Sequence, residues 1–465
     1  MAFAIQSLQP KIPQMTSPPL LIVILAAGMG VRMRSQRAKV LHRLGGRSLL
    51  AHALSHAKAA GATALAVVVP PASAEVRAEA LAHAPAAAVF EQSQQAGTAD
   101  AVLAAREALS RHAGDVLVLF ADTPLIEVAT LKRLIAALDQ GADVAVLGFE
   151  PDDPAGYGRL ILDGGGRVRT IREHKDASPS ERAQRLCNAG AMAFRVPSLL
   201  TLLGRIGNAN ASREYYLTDA VAIAYDEGLN VLPVHSAPEE AMGINTREQL
   251  AEAEAIFQRR ARAEAMRNGV SMTAPDTVWF SYDTTIAPDV TIEPNVFFGP
   301  GVAIGEGAEI LANSHIVGAR IGAGARVGPF ARLRPGAEVG QDVHIGNFVE
   351  IKNASLEAGA KANHLAYIGD GRVGAGANIG AGAIFCNYDG YNKHFTDIGA
   401  GAFIGSNAAL IAPVTIGERA YVASGSVISR NVEADALAIA RGTQEVRPGW
   451  AAKFRALMQN RRKKP

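Results

Sequence analysis

Residues 321–340 read IGAGARVGPFARLRPGAEVG, with an aliphatic residue at every sixth position: Ile321, Val327, Leu333 and Val339. Glycine directly follows three of the four. Working outward, the same step reaches Ile345 and Ile351 on one side. On the other it runs through Ile286, Ile292, Phe298, Ile304, Ile310 and Ile316, with one five-residue step into Ile321. Val373 and Ile379 follow later, then Ile398, Ile404, Leu410, Ile416, Val422 and Ile428. A hexapeptide period held this long predicts a left-handed parallel β-helix over residues 270–445, each anchor pointing inward and the small residues turning the corners. The period fails twice. It blurs over 356–373, where NHLAYIGD places His364 and Tyr367. Between Ile379 and Ile398 there is room for an insertion of about 13 residues, FCNYDGYNKHFTD (385–397), expected to leave the helix.

The first half has another rhythm. LLIVILAAG, ALAVVVP, DVLVLFAD and DVAVLGFE are continuous apolar runs of the kind that form strands buried on both faces. LLAHALSHAKAAGA and TADAVLAAREALSRHAG lie between them as helical stretches. This alternation predicts an α/β, Rossmann-like domain over 21–248, with a mixed, mostly parallel sheet whose ligands sit at the carboxyl ends of the strands. The first strand opens into LAAGMGVRMRSQRAK (25–39), where Gly28 and Gly30 allow a close anion approach and Arg32, Arg34, Arg37 and Lys39 add charge. The spacing is neither G-x-G-x-x-G nor G-x-x-x-x-G-K-[ST]. Asp122 closes another strand, a natural place for an Mg²⁺ ligand. Between the halves, residues 249–269 predict a linking helix, with Leu250, Ala253, Phe257 and Ala261 on one face and Gly269 at its end.

The chain has 465 residues, 46 basic and 44 acidic, for a net charge of +2. That balance gives no ground for nucleic acid as a partner. Two cysteines, Cys187 and Cys386, make no disulfide framework and fit a reducing, cytoplasmic setting. No apolar run is long enough for a membrane span. Residues 1–20 lack a signal-peptide pattern and are expected to be a flexible leader. Residues 446–465 end in MQNRRKKP and are expected to be a solvated basic tail.

In order, the first-half motifs resemble the sugar-1-phosphate nucleotidyltransferases, and most closely the uridylyltransferase half of bacterial bifunctional enzymes acting on N-acetylglucosamine 1-phosphate. The signature L-x-x-G-x-G-T-R-M-x-x-x-x-P-K is matched from Leu25 to Lys39, with Val31 for Thr and Ala38 for Pro. The family's G-D pair is Ala121-Asp122 and its N-T-G is Asn188-Ala189-Gly190. The resemblance implies that Arg32 and Lys39 act on the phosphates, with Leu25, Ala26 and Gly28 beside them. It implies that Gln92, Gly97 and Thr98 recognise uracil, that Gly158, Glu173 and Asn188 hold the sugar, and that Asp122 and Asn245 hold Mg²⁺.

The repeat half resembles the acetyltransferase half of the same enzymes through GPFARLRPGA, GNFVEIK, NHLAYIGD, NIGAGAIFCNYDG and NKHFT. There the resemblance implies that His364 is the general base and that Glu350 is an orienting carboxylate. Arg334, Lys352, Tyr367 and Asn378 would bind glucosamine 1-phosphate. Asn387, Tyr388, Lys393, Ser406, Ser424 and Arg441 would lie along acetyl-CoA. It further implies a homotrimer that makes UDP-N-acetylglucosamine for cell-wall peptidoglycan and lipopolysaccharide from acetyl-CoA and UTP. A zinc site on His344 and His364 has no third ligand set by the repeat. Two rival readings are a single-activity nucleotidyltransferase with a scaffolding β-helix, and a non-catalytic binding module. The inserted loop and His364 argue against the first, and Lys39, Asp122 and Asn245 against the second.

Overall fold

The computed structural model describes residues 18–195 and 198–462, so most of the expected leader lies outside the described residues. The chain divides into two compact units between Arg259 and Arg260.

In the first unit seven strands pair in one sheet, in the spatial order Val231–His235, Val144–Phe149, Cys187–Arg195, Asp115–Phe120, Leu20–Leu25, Ala64–Val69, Ala88–Glu91. Cys187–Arg195 runs antiparallel to both neighbours, and the other pairings along this order are parallel. A hairpin of Arg159–Leu162 and Val168–Arg172 extends the sheet from Cys187. The apolar runs are unbroken because both faces are covered: Ile22 and Ile24 enter one core, Leu21, Val23 and Leu25 the other. The stretch TADAVLAAREALSRHAG forms two helices, Thr98–Ala104 and Arg106–Arg111, broken at Ala105. The parallel strands Leu20–Leu25 and Asp115–Phe120 end side by side, which brings the glycine loop and Asp122 to one edge.

The helix between the halves spans Arg247–Arg267. Ala253 and Ile256 are buried with Leu44 and Leu49 in the first unit, while Ala261 and Ala265 pack on the core of the second.

The second unit is a left-handed parallel β-helix. Most of its pairs step 17 or 18 positions per coil, as in Thr291 with Glu309 and Ala303 with Arg320. The hexapeptide anchors are buried in one core, every third anchor stacking on the same face; Ile286 alone among them is only partly buried. The blurred stretch keeps this core too: Leu356, Ala362 and Ile368 are buried and carry it from Ile351 to Val373. Alanine at 362 and two five-residue steps hide the repeat. The insertion is shorter than expected. Phe385 is 1% exposed and is itself an anchor, so the loop leaves after Cys386 and returns at Thr396. Asn378 pairs with Phe403, a step of 25 positions, which leaves seven residues beyond an 18-residue coil. Residues 446–465, expected to be a tail, contain a helix, Trp450–Arg462. No helix among the described residues is long and apolar enough to cross a membrane.

Candidate active sites

In the first unit the chain leaves Leu25 and turns through Gly30, whose φ of +60° is left-handed. A Cβ there would lie 2.5 Å from the Lys39 Cβ, so glycine at 30 is what lets the loop lie against Lys39. Gly28 has no such need: a Cβ on it would meet nothing closer than the Lys39 Nζ at 3.8 Å. Lys39 is 7% exposed, and its Nζ donates to Asp122 Oδ2 at 2.5 Å and to Asn245 Oδ1 at 3.1 Å. Asn245 reaches this point because the Ile244 N–H donates to the Asp122 carbonyl at 2.8 Å. Asp122 and Asn245 therefore aim oxygens at one cationic nitrogen. A carboxylate and an amide oxygen so converged suit Mg²⁺, which uses few protein ligands and completes its shell with phosphate and water.

A cleft of about 330 Å³ opens beside this group, lined by Leu25, Gly28, Lys39, Gln92, Gly97, Thr98 and Asp122 among others. Buried Gln92 donates through Nε2 to the Gly97 carbonyl and to Asp100, both at 2.9 Å, and so fixes the turn. Gly97 has φ +128°, and its neighbour Ala99 donates to the Tyr215 carbonyl at 2.9 Å. Thr98 Oγ1 accepts from the Leu217 N–H at 2.8 Å. Gln95 and Glu214 also line the cleft, and Gln95 ties the two rims together by donating to the Ala27 carbonyl at 2.7 Å. Sequence reasoning missed both, since they sit in loops without a pattern. Ala26 is buried in the sheet core rather than at the cleft, and Arg32 is exposed.

Gly158, Glu173 and Asn188 form a second group. Asn188 N–H donates to the Gly158 carbonyl at 2.8 Å, and a Cβ on Gly158 would lie 3.4 Å from the Glu173 carboxylate. Burial pushes the Glu173 carboxyl above its usual range, against the opposing hydrogen bond from Thr218. Asn188 begins a strand irregularity that runs to Met192, and its Oδ1 accepts from the Gly190 N–H at 3.0 Å.

In the second unit Arg332, Glu350 and Tyr367 occupy one register position on three successive coils. The Glu350 carboxylate accepts from Arg334 at 2.9 Å and from Arg332 at 3.3 Å. Half-buried Lys352 lies two residues on, paired with Gly369. His364 pairs with Asn347, and its Nδ1 is 2.7 Å from the Asn347 Oδ1. Asn387 is 4% exposed; its Nδ2 donates to Asp370 and lies 3.4 Å from the Tyr367 hydroxyl. Along the inserted loop Lys393 places its ammonium 4.6 Å from the Tyr388 ring centre. Arg441 donates to the Ser424 carbonyl at 2.8 Å, and the Ser406 carbonyl accepts from Gly425 next to it. Asn378 stands apart from Arg334, Lys352 and Tyr367: it belongs to the ten-stranded sheet, paired with Lys361 and Phe403. No group of three His, Cys, Asp or Glu among the described residues could hold a metal.

Residues 22–187 match the MobA-like NTP transferase domain family, and residues 318–353 and 395–430 match the bacterial transferase hexapeptide (six repeats) family. The gap between the last two ranges holds Ala362 and the inserted loop. The chain is 55% identical over 442 residues to the bifunctional protein GlmU of Xanthobacter autotrophicus, covering 95% of this chain and 98% of that protein. It is 56% identical to the GlmU of Azorhizobium caulinodans with the same coverage, and 58% identical over 440 residues to that of Maricaulis maris, covering 95% and 97%. The chain belongs to the GlmU family. It is a bifunctional transferase, with uridylyl transfer in the nucleotidyltransferase domain and acetyl transfer in the hexapeptide domain. The cleft beside Lys39 lies at the carboxyl ends of Leu20–Leu25 and Asp115–Phe120, within the nucleotidyltransferase domain.

Proposed function

We propose that the two transfers run in sequence on one sugar. The β-helix acetylates glucosamine 1-phosphate with acetyl-CoA, and the α/β domain joins the product to UMP from UTP, releasing pyrophosphate and yielding UDP-N-acetylglucosamine. The convergence of Lys39, Asp122 and Asn245 at the carboxyl edge of the sheet carries the reading, because it supplies a cation-binding pair beside a phosphate-binding loop.

The uridylyl step needs no protein nucleophile. The phosphate oxygen of the sugar attacks the α-phosphorus of UTP, and the P–O bond to pyrophosphate breaks. The protein positions both and neutralises charge. Lys39 and Arg32 face the phosphates, Gln92, Gly97 and Thr98 the base, and Gly158, Glu173 and Asn188 the sugar. Asp122 and Asn245 would hold Mg²⁺, which would neutralise further charge on the phosphates.

In the acetyl step the nitrogen of the sugar amine attacks the thioester carbonyl, His364 takes the amine proton, the C–S bond breaks, and that proton passes to the sulfur as CoA leaves as the thiol. Arg334 and Lys352 bind the phosphomonoester, for which a guanidinium and an ammonium are suited. Asn387, Tyr388, Lys393, Ser406, Ser424 and Arg441 line acetyl-CoA. His364 and Asn378 lie on one sheet of the β-helix and Lys352 and Tyr367 on the other, an arrangement that a neighbouring copy in a homotrimer would complete. The product serves cell-wall synthesis in the cytoplasm.

One assay tests this. Purified protein is given glucosamine 1-phosphate, acetyl-CoA, UTP and Mg²⁺, with CoA thiol and pyrophosphate followed separately. Both are expected, and pyrophosphate should require acetyl-CoA unless N-acetylglucosamine 1-phosphate is supplied. Pyrophosphate without any CoA would reduce the β-helix to a scaffold.

A further inference from the structure

The donor pair of the first unit is already satisfied by the protein's own cation. Lys39 Nζ lies 2.5 Å from Asp122 Oδ2 and 3.1 Å from Asn245 Oδ1, with the lysine side chain 8% exposed. The same nitrogen lies directly under the glycine loop, 3.8 Å from where a Gly28 Cβ would stand. One ammonium thus faces two anion positions: the carboxylate that holds it now, and the loop where phosphates are expected. The Lys39 Cβ lies close against Gly30, and the ammonium end of the side chain reaches both positions.

We propose that Lys39 is an internal stand-in for the metal, and that it keeps the divalent ion out of the free enzyme until a nucleotide arrives. This rests on the reading of Asp122 and Asn245 as the metal pair. In the free chain a metal ion must displace an ammonium already hydrogen-bonded to both oxygens, and like charges in a partly buried site repel strongly. Nucleotide phosphates at the loop give the ammonium a second anionic partner. Lys39 shifts toward them, and Asp122 and Asn245 are released together. The charge balance is kept at each stage: lysine with aspartate before binding, lysine with phosphate and metal with aspartate after it. The metal therefore enters with the nucleotide, not ahead of it.

The test is Mn²⁺ binding, followed by electron paramagnetic resonance, on the full chain without turnover. Wild type is expected to bind Mn²⁺ weakly without nucleotide. Lys39→Met and Lys39→Gln are expected to bind it about tenfold more tightly or better in the same condition. Two neutral replacements guard against one failing to fold, and an unchanged circular dichroism spectrum reports folding. Adding Asp122→Asn to Lys39→Met should abolish the gain. Equal Mn²⁺ affinity in wild type and both lysine variants overturns the proposal, as does a gain that survives Asp122→Asn. If Mn²⁺ binding in the presence of UTP is indifferent to Asp122→Asn, the metal assignment itself falls, and the stand-in role with it.

Discussion

His364 Nδ1 lies 2.7 Å from the Asn347 side-chain oxygen, on the coil below it in the β-helix. An amide oxygen can only accept, so Nδ1 carries the hydrogen and Nε2 is left as the basic nitrogen. His364→Ala should lower acetyl transfer by about 10²–10⁴-fold, the usual worth of a general base. Asn347→Ala should lower it less while leaving uridylyl transfer unchanged, since the imidazole loses its orientation and not its basicity. Separate CoA-thiol and pyrophosphate assays check this. Loss of both activities in a folded His364→Ala protein would refute two independent sites.

The two glycines of the loop proposed to hold the phosphates should differ. Gly30→Ala places a methyl 2.5 Å from the Lys39 Cβ at a left-handed φ of +60°. The backbone conformation alone costs an alanine about 1–2 kcal/mol. Uridylyl transfer should fall sharply, with acetyl transfer retained. Gly28→Ala meets nothing closer than 3.8 Å and should be the milder of the two. Pyrophosphate release by both variants decides it.

Burial pushes the His52 imidazole down to about 4, although its Nε2 lies 2.9 Å from the Leu44 carbonyl. The unfolded chain takes up this proton near pH 6.5 and the native chain only near 4. The stability is therefore fully present above pH 6.5 and is lost as pH falls from 6.5 to about 4, by about 3 kcal/mol. His52→Gln should flatten that part of the profile. Urea midpoints at a series of pH values from 7.5 to 4.5 measure it.

Asp370 holds Asn387 and Asn353 by their amide nitrogens, the latter at 2.7 Å, and Asn387 in turn touches the Tyr367 hydroxyl. Asp370→Ala should let the start of the inserted loop swing free. The KM for acetyl-CoA should rise several-fold with a smaller change in kcat, and uridylyl transfer should be unaffected. An unchanged KM would mean that Asn387 is held by the β-helix alone.

The β-helix is legible from the residues alone, because an inward anchor every six residues admits one stacking solution and the period survives over most of the second half. The parallel strands and the glycine loop are legible too, since apolar runs and glycines are local signals. Ala362 escaped, because a methyl anchor between two five-residue steps looks like any alanine, and only the core of buried residues around it shows its role. Phe385 reads as loop in the sequence because the next anchor is 13 positions away, yet it is buried in the core. The antiparallel course of Cys187–Arg195, Gln95 bracing the cleft rim and the Glu214 carboxylate in its wall depend on pairings between distant segments, which no short pattern encodes. Above all, the sequence named Lys39, Asp122 and Asn245 separately. Their meeting on one nitrogen is a product of the fold: two parallel strand ends and a hydrogen bond from Ile244 to Asp122 bring residues 83 and 206 positions from Lys39 within reach of a single side chain.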